Sequence, residues 1–310
     1  MTGYDVVTFG EAMASLHGPG PLRMGGDLTL SVAGAEANVA IGLARLGHAV
    51  RWAGVLGDDE LGRLILRTLR AEAVDVTACR LDPSRPTGLL LQERRIGDII
   101  RVHYYRAGSA GSALTSADAT RALGSASIRV LHVTGITPAL GPEPAAAVVR
   151  AVRLAAERGV RVCLDVNYRA KLWNREDAAA GLRPLLPYVN VLVASEDELP
   201  LVAESPEAAL AAGPGEVVVK LGGDGAEVWT EGGHVREPAV PVQVVNPVGA
   251  GDAFVAGYLS GLLDGLPVAE RLRRGVVLGA FAVASHGDWH GLPDRAELSL
   301  LALPGGETVR

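Results

Sequence analysis

The sequence predicts an α/β protein in which helices cover both faces of a doubly wound, mostly parallel sheet, with a small antiparallel β-sheet as a lid. Strand-length apolar runs alternate with helical patterns from about residue 129 onward: RVLHVTGI, PEPAAAVVRAVRLAAERG, VRVCLDVNY, NVLVASEDEL and EVVVKLGGDG. Strands that are apolar throughout are typical of a parallel sheet buried on both faces. Two earlier segments instead alternate polar and apolar residues, which indicates a second, smaller sheet.

The N-terminal part contributes to both sheets. Core strands and helices are predicted in DVVTFGE, GAEANVAIGLARLG, AVRWAGVLG and DELGRLILRTLRAEA. The two alternating segments, PLRMGGDLTLSVAG and TGLLLQERRIGDIIRVHYYRAGSAG, lie between them and carry Gly-Asp turn signals, as antiparallel strands with one polar face do. We therefore predict lid strands inserted at about 11–33 and 87–107 into a single domain that spans 1–310.

Composition excludes several classes of protein. The chain has 310 residues, 48% of them hydrophobic and 21% charged, as in an ordinary globular enzyme. A formal net charge of -6 provides no basic surface for nucleic acid. The late apolar run GVVLGAFAVAS is too short to span a bilayer, and MTGYDVVTFG does not read as a signal peptide. Cys79 and Cys163 fit neither a metal site nor a disulfide framework, which indicates a reducing compartment, and we expect a cytoplasmic protein. The charge and the short apolar run predict no nucleic-acid or membrane partner.

The stretch VVNPVGAGDAF runs through a Pro-Gly turn into a helix whose first turn contains Gly249, Ala250, Gly251 and Asp252. The unpaired N–H groups and positive dipole end of a helix start bind anions, and glycines let a phosphate approach closely. The dipole favours the ionised form of Asp252, which can then accept a proton from an attacking hydroxyl. The other interpretation is that Asp252 only caps the helix.

Residues 246–252 resemble D-[TP]-x-G-A-G-D, the C-terminal signature of the ribokinase-like sugar kinases, or PfkB family, with Asn246 in place of the leading Asp. The resemblance implies a ribokinase-like fold and a catalytic base at Asp252. It also implies that the backbone of Gly249, Ala250 and Gly251 forms the anion hole for the transferred phosphoryl group.

A second motif extends the resemblance over the whole chain. The segment AGAEANVA is similar to the family's N-terminal signature G-G-x-x-x-N-x-A, with Ala33 in place of the first glycine. The resemblance implies that Gly34 and Asn38 bind the substrate. Without the C-terminal motif, a helix start built from small residues explains this segment equally well.

The resemblance also places ATP. Lys220 ends a predicted strand, and the turn after it contains Gly222, Gly223 and Gly225, which lets backbone lie against a nucleotide. Such a turn alone is typical of a hairpin connection. The full expected ATP site is Asn167, Lys220, Gly222, Gly223, Gly225, Gly249 and Gly251.

The expected cofactor beside ATP is Mg²⁺. The segment ASEDEL is similar to the family's N-x-x-E element, which organises Mg²⁺ through water, with Ser195 at the first position and Glu198 at the acid. We therefore expect Glu198 to act on the metal indirectly. A helix start with acids in its first turn is the other interpretation.

Arginines near the lid indicate an acidic substrate. In RVHYYRAGSAG, alternation puts Tyr104 and Arg106 on one face of a strand and Tyr105 on the other. A guanidinium presents two parallel N–H donors to a carboxylate, and Arg169 follows a core strand at the end where ligands bind in open parallel sheets. The alternatives are a charged strand edge for Arg106 and a loop salt bridge for Arg169.

The segments YYRAGSAGSAL, HVTGITPAL and LDVNYRAKLW are similar to those of 2-keto-3-deoxygluconate kinases, a subgroup of this family that phosphorylates the terminal 6-hydroxyl of a sugar acid. This resemblance implies that the keto acid is surrounded by Gly34, Tyr104, Tyr105, Arg106 and Arg169. Asp288, in SHGDW, lies where many of these kinases have an acid near the sugar, and a loop cap is its other interpretation.

Two other functions remain open. A neutral-sugar kinase of ribokinase or fructokinase type shares every motif but makes no use of Arg106 and Arg169 together. A nicotinamide dehydrogenase or a non-catalytic sugar-binding protein lacks support, because FGEAMASLHGPG and no G-x-G-x-x-G follows the first strand. Since lid sheets with an apolar outer face often pair between subunits, we also expect a homo-oligomer.

Overall fold

The computed structural model of the protein describes residues 3–96, 99–124 and 127–302. Its strands are β1 (Tyr4–Phe9), β2 (Met13–Gly18), β3 (Thr29–Ala33), β4 (Val50–Ala53), β5 (Val55–Gly57), β6 (Arg80–Asp82), β7 (Leu89–Arg94), β8 (Ile100–Tyr105), β9 (Ile128–Thr134), β10 (Arg161–Asp165), β11 (Val191–Ser195), β12 (Glu216–Lys220), β13 (Ala226–Thr230) and β14 (Gly233–Glu237). Its α-helices are α1 (Ala35–Arg45), α2 (Glu60–Ala71), α3 (Ser116–Leu123), α4 (Pro142–Glu157), α5 (Arg175–Leu182), α6 (Leu199–Val202), α7 (Pro206–Ala211), α8 (Ala250–Leu263) and α9 (Val268–Val283).

The main sheet has the strand order β14, β13, β12, β11, β10, β9, β1, β4. The pairs from β12 to β4 are parallel, whereas β13 and β14 add an antiparallel edge. The chain first builds outward from β1 to β4 and then returns to place β9 on the other side of β1. Ligands bind at such a reversal of strand order, beyond the carboxyl ends of the strands.

Both faces of this sheet are buried, because alternate residues of each strand enter different cores. Val6, Val130 and Val218 pack with apolar residues of α1, α2, α8 and α9. Their neighbours Val7 and Leu131 pack with α3, α4 and α5 on the opposite face. This arrangement confirms the predicted doubly wound α/β class. In the part of the chain that the structure describes, no helix combines the length and apolar character needed to cross a membrane.

The lid is a separate sheet with the order β3, β2, β7, β8. Its outer pairs are antiparallel, as predicted, but its central pair, β2 with β7, is parallel. In each insertion, one strand runs away from the core and its hairpin partner runs back. Two outgoing strands from different insertions therefore run in the same direction, and so do two returning strands. Here β2 and β7 meet, and they join the two insertions into one sheet.

The two faces of the lid differ in polarity. Leu30, Leu16 and Leu91 lie side by side across β3, β2 and β7, and His103 of β8 completes the row. Leu30 is 49% exposed. The opposite face carries Gln92 and Val102, which line a cavity between the lid and the main sheet. The lid therefore covers the carboxyl ends of the core strands and leaves an apolar row on its outer side.

Candidate active site

A cleft of about 400 Å³ lies between the lid, the carboxyl ends of the central strands and the start of α8. The loops after β1, β9 and β10 form its floor. Most residues that the sequence predicts for the site line this cleft: Gly34, Asn38, Tyr104, Arg106, Asn167, Arg169, Glu198, Lys220, Gly249, Gly251, Asp252 and Asp288.

Tyr105 does not line the cleft. Its side chain is 62% exposed and lies opposite to that of Tyr104, because neighbouring residues of β8 face different sides of the lid. Tyr105 instead lines an adjoining cavity of about 990 Å³, which shares Arg106 and Arg169 with the cleft. A direct contact between Tyr105 and a ligand in the cleft is therefore not supported by this structure.

Three predicted glycines also lie outside the cleft lining. Gly222 and Gly223 belong to the short turn after β12, and a Cβ at either position would meet no atom within 4 Å. Gly225 has φ 98°, and a Cβ there would overlap the carbonyl oxygen of Glu237. The turn needs a glycine at 225 for its own shape, while Gly222 and Gly223 leave open space beside Lys220.

The start of α8 has the geometry of an anion site. Gly249 caps the helix in the left-handed region, with φ 82°, and a Cβ there would overlap the carbonyl oxygen of Asp288. The buried amide of Asn246 accepts a hydrogen bond from the N–H of Val248 at 3.0 Å. The asparagine therefore shapes the turn without a charge. The N–H of Ala250 donates to the carbonyl oxygen of Pro247 at 3.4 Å, a long hydrogen bond that an anion at this helix start would replace.

Asp252 lies in the first turn of α8 and is buried, with 8% of its surface exposed. Asn38 Nδ2 donates to its Oδ2 at 2.8 Å, and Asn167 Nδ2 lies 3.5 Å from its Oδ1. Burial raises the pKa of Asp252, while the hydrogen bond from Asn38 and the charge of Arg169 lower it in part. Desolvation outweighs these two effects and makes the carboxylate a better proton acceptor than that of an exposed aspartate.

Asn38 is brought to Asp252 by the turn before α1. Gly34 caps that helix with φ 146°, and a Cβ at Gly34 would lie 2.7 Å from the carbonyl oxygen of Glu11. Among the described residues, the buried Oδ1 of Asn38 has no hydrogen-bond partner. Asn38 can therefore hold Asp252 through its amide N–H and accept a hydroxyl hydrogen through its oxygen.

Lys220 carries a positive charge into the cleft from the end of β12. Its Nζ donates to Asp165 Oδ1 at 2.9 Å. Burial alone would lower the pKa of Lys220, but the carboxylates of Asp165 and Glu198 raise it above its usual value. The ammonium therefore stays charged at neutral pH, near the start of α8.

Glu198 connects two loops at the same edge of the sheet. Its Oε1 accepts the N–H of Tyr168 at 2.8 Å, and its Oε2 accepts the N–H of Ser195 at 2.8 Å. These bonds fix the carboxylate with both oxygens already used by the backbone. Such a group suits an indirect role toward a cation better than direct coordination.

The arginines differ in their surroundings. Arg106 is buried, and its Nε donates to Glu11 Oε2 at 2.7 Å, so one edge of the guanidinium is occupied. The predicted clamp is therefore limited to the other edge. Arg169 Nη1 donates to the carbonyl of Tyr168 at 3.0 Å, and the side chain lines both the cleft and the adjoining cavity. Both arginines line the cleft, as Lys220 does.

Two acids with raised pKa values also line the cleft. Glu36 is 1% exposed, and Thr134 and Thr137 donate hydroxyl hydrogens to its Oε1 at 2.7 and 2.8 Å. Burial raises the pKa of Glu36 to about 7. Burial also raises the pKa of Asp288 to about 7, although Gln92 donates to its carboxylate. Glu36, Glu11 and Gln92 were missed from the sequence, where the only signal for Glu36 was an acid inside an apolar helix start.

The pKa of Glu36 predicts a pH-dependent stability. Its value rises from 4.5 to about 7 on folding, so the folded chain holds a proton that the unfolded chain releases. The contribution to the free energy of unfolding is complete below the unfolded pKa and is lost as pH rises through the folded pKa. Between about pH 5 and about pH 8, rising pH should therefore lower the free energy of unfolding of Glu36→Gln less than it lowers that of the wild type. Urea titrations measure the free energy of unfolding at each pH in this range. The same pH dependence in Glu36→Gln and wild type would contradict the assignment.

Comparison with known proteins identifies the family. The model of the pfkB family carbohydrate kinases matches residues 4–295. A 2-dehydro-3-deoxygluconokinase of Bacillus subtilis (strain 168) is 37% identical over 312 residues, covering 95% of this chain and 94% of the relative. One of Thermoproteus tenax is 37% identical over 308 residues, with coverages of 94% and 92%. The crystal structure of a PfkB protein from Polaromonas sp. JS666 superposes with a TM-score of 0.83 at 36% identity, covering 96% of this chain and 99% of that one. The resemblance found in the two sequence signatures is confirmed: the chain belongs to the pfkB family of carbohydrate kinases.

Proposed function

We propose that the protein transfers the γ-phosphoryl group of ATP to the terminal 6-hydroxyl of a sugar acid, 2-keto-3-deoxygluconate. One observation carries the proposal: a buried carboxylate, Asp252, lies at a glycine-rich helix start, and two arginines, Arg106 and Arg169, line the same cleft. A sugar acid extended between these groups would present its hydroxyl to Asp252 and its carboxylate to Arg106 and Arg169. The names of the relatives at 37% identity support the same substrate class.

In the proposed reaction, Asp252 takes the proton of the 6-hydroxyl, and the oxygen attacks the γ-phosphorus in line with the leaving ADP. Asn38 holds Asp252 in place. The N–H groups at Gly249, Ala250 and Gly251 bind the oxygens of the transferred group, where negative charge is concentrated. The lid excludes water, which would otherwise accept the phosphoryl group.

We place ATP along β12, with Lys220 and Asn167 toward the phosphates and the turn at Gly222, Gly223 and Gly225 toward the nucleoside. Bound Mg²⁺ would neutralise charge on the phosphate oxygens. The described residues contain no group of three His, Cys, Asp or Glu side chains that could hold a metal. Glu198 fits the group as an organiser of its water ligands, because its own oxygens accept backbone hydrogens.

A coupled phosphorylation assay tests the function. The panel contains 2-keto-3-deoxygluconate, its C4 epimer, gluconate, ribose and fructose, each with ATP and Mg²⁺. We expect the highest kcat/KM on a 2-keto-3-deoxy sugar acid. Equal or better turnover of ribose or fructose would favour a neutral-sugar kinase. Binding of NAD without phosphoryl transfer to any member of the panel would contradict the proposed kinase reaction.

We also propose that the enzyme works in the cytoplasm, where ATP is supplied, and as a homo-oligomer. The outer lid row of Leu30, Leu16 and Leu91 offers an apolar face that a second copy of the lid would cover. Leu30→Lys should shift the protein toward the monomer, because an ammonium would be buried in that contact. Light scattering on a dilution series checks this. The substitution of an exposed residue outside the lid, Leu81→Lys, is the control for added charge. Identical masses for Leu30→Lys and wild type would contradict the lid as interface.

A further inference from the structure

Glu11, in the loop between β1 and β2, is a buried acid whose carboxylate accepts hydrogen bonds from side chains just after the lid strand β8. Its side chain is 1% exposed. One oxygen, Oε2, accepts from Arg106 Nε at 2.7 Å and also pairs with Arg106 Nη2. The other oxygen, Oε1, accepts the hydroxyl hydrogen of Ser109. Both oxygens are therefore committed to the segment that ends β8.

The backbone around Glu11 leaves one place for this carboxylate. A Cβ at Gly111 would overlap the Glu11 side chain, and a Cβ at Gly88 would lie 2.7 Å from Oε1. Glycine at both positions creates the space that the carboxylate fills. The side chain is held by packing as well as by its hydrogen bonds.

A fixed carboxylate fixes the guanidinium. The five N–H donors of an arginine lie in one plane, so a contact along the Nε and Nη2 edge sets the direction of the remaining edge. Arg106 lines the cleft, and its Nη1 has no hydrogen-bond partner within the described ranges. Tyr104 lies beside it, with its ring centroid 5.6 Å from Arg106 Cζ. The free edge of Arg106 is thus held in one orientation before any ligand binds.

We propose that Glu11 is a positioning residue for substrate selection: it orients Arg106 so that the free edge of the guanidinium meets the carboxylate of the sugar acid, and it acts on the substrate only through Arg106. This inference rests on the proposed function, which supplies the acidic substrate. It explains why an acid is buried beside the group that binds another acid. Without Glu11, the long arginine side chain would keep its charge but lose its fixed direction.

The first test is Glu11→Gln, which keeps the shape and removes the charge. We expect the KM for 2-keto-3-deoxygluconate to rise about ten-fold, with kcat and the KM for ATP within about two-fold of wild type. The matched control is Glu93→Gln, because Glu93 is also a buried lid acid with arginine neighbours but lies outside the cleft lining. A loss of kcat equal to the rise in KM, an unchanged KM or a lower KM would overturn the inference.

The second test is a double-mutant cycle with Arg106→Ala. If Glu11 acts through Arg106, Glu11→Gln should change the sugar-acid KM by less than about two-fold in the Arg106→Ala background. Ser109→Ala, which removes one hydrogen bond and leaves both charges, should raise the same KM by a smaller factor and likewise lose its effect in that background. A full effect of Glu11→Gln without Arg106 would overturn the positioning role. Arg106→Ala with an unchanged sugar-acid KM would instead overturn the carboxylate assignment in the proposed function, and this inference with it.

Discussion

Asp252→Asn should reduce kcat by about 10²–10⁴-fold and leave the affinity for ATP nearly unchanged. The amide keeps the size of the carboxylate, and its oxygen can still accept the hydrogen of Asn38 Nδ2. It cannot take the proton of the attacking hydroxyl. Because burial raises the pKa of Asp252, its carboxylate is a stronger base than that of an exposed aspartate.

Steady-state kinetics with a saturating sugar acid measure the loss, and titration calorimetry with an ATP analogue measures nucleotide binding. Asp58→Asn is the control, since Asp58 is an exposed aspartate outside the cleft. A kcat within about five-fold of wild type would show that Asp252 is not the base. A matching loss of ATP affinity would show that the residue acts on the nucleotide.

Arg106→Ala should lower kcat/KM for a 2-keto-3-deoxy sugar acid by about ten-fold to a hundred-fold, because a charge-assisted hydrogen bond contributes roughly 1.5–3 kcal/mol. The KM for ATP should stay near its wild-type value, since Arg106 enters from the lid and not from β12. Arg169→Ala should change the sugar-acid KM in the same direction. Arg106→Lys should recover only part of the loss, as an ammonium lacks the planar pair of donors.

The alanine variant also leaves Glu11 buried without its cation, and breaking such a pair typically destabilises a protein by about 3–5 kcal/mol. Thermal unfolding must therefore accompany the kinetics. Arg106→Lys separates the two effects, because it keeps a positive charge beside Glu11. Equal activity of wild type and Arg106→Ala on sugar acids, with ribose or fructose used as efficiently, would contradict the role of Arg106 and favour a neutral-sugar kinase.

Local motifs made much of the site predictable. The glycines and the acid at the start of α8 are consecutive in the sequence, and a helix start always presents the same N–H groups. Arg169 lines the cleft because loops after parallel strands gather at one edge of the sheet. The parallel strands themselves were visible as runs that are apolar on both faces.

The parts that were missed depend on contacts between distant residues. Glu11 and Arg106 are 95 positions apart, and Glu36 meets Thr134 from 98 positions away. No spacing rule relates them, so the sequence showed an isolated arginine where the structure has a paired one. Tyr105 was grouped with Tyr104 by the resemblance, although the alternation of β8 sends its side chain to the other face. The parallel pairing of β2 with β7 was likewise invisible, because the two strands belong to different insertions.

That pairing has a consequence for how the chain assembles. Leu16 of β2 is paired with Leu91 of β7. The four-stranded lid sheet therefore cannot form until the intervening chain, which contains α1, β4 and α2, has brought the two segments together. Closing so long a loop costs conformational entropy before the pairing returns any stability. As the ribosome delivers the chain, the hairpin of β2 and β3 emerges first and keeps an unpaired edge until β7 and β8 follow. The lid over the cleft is thus completed after the first core units that support it. Neither insertion can be excised without leaving the other with an open strand edge.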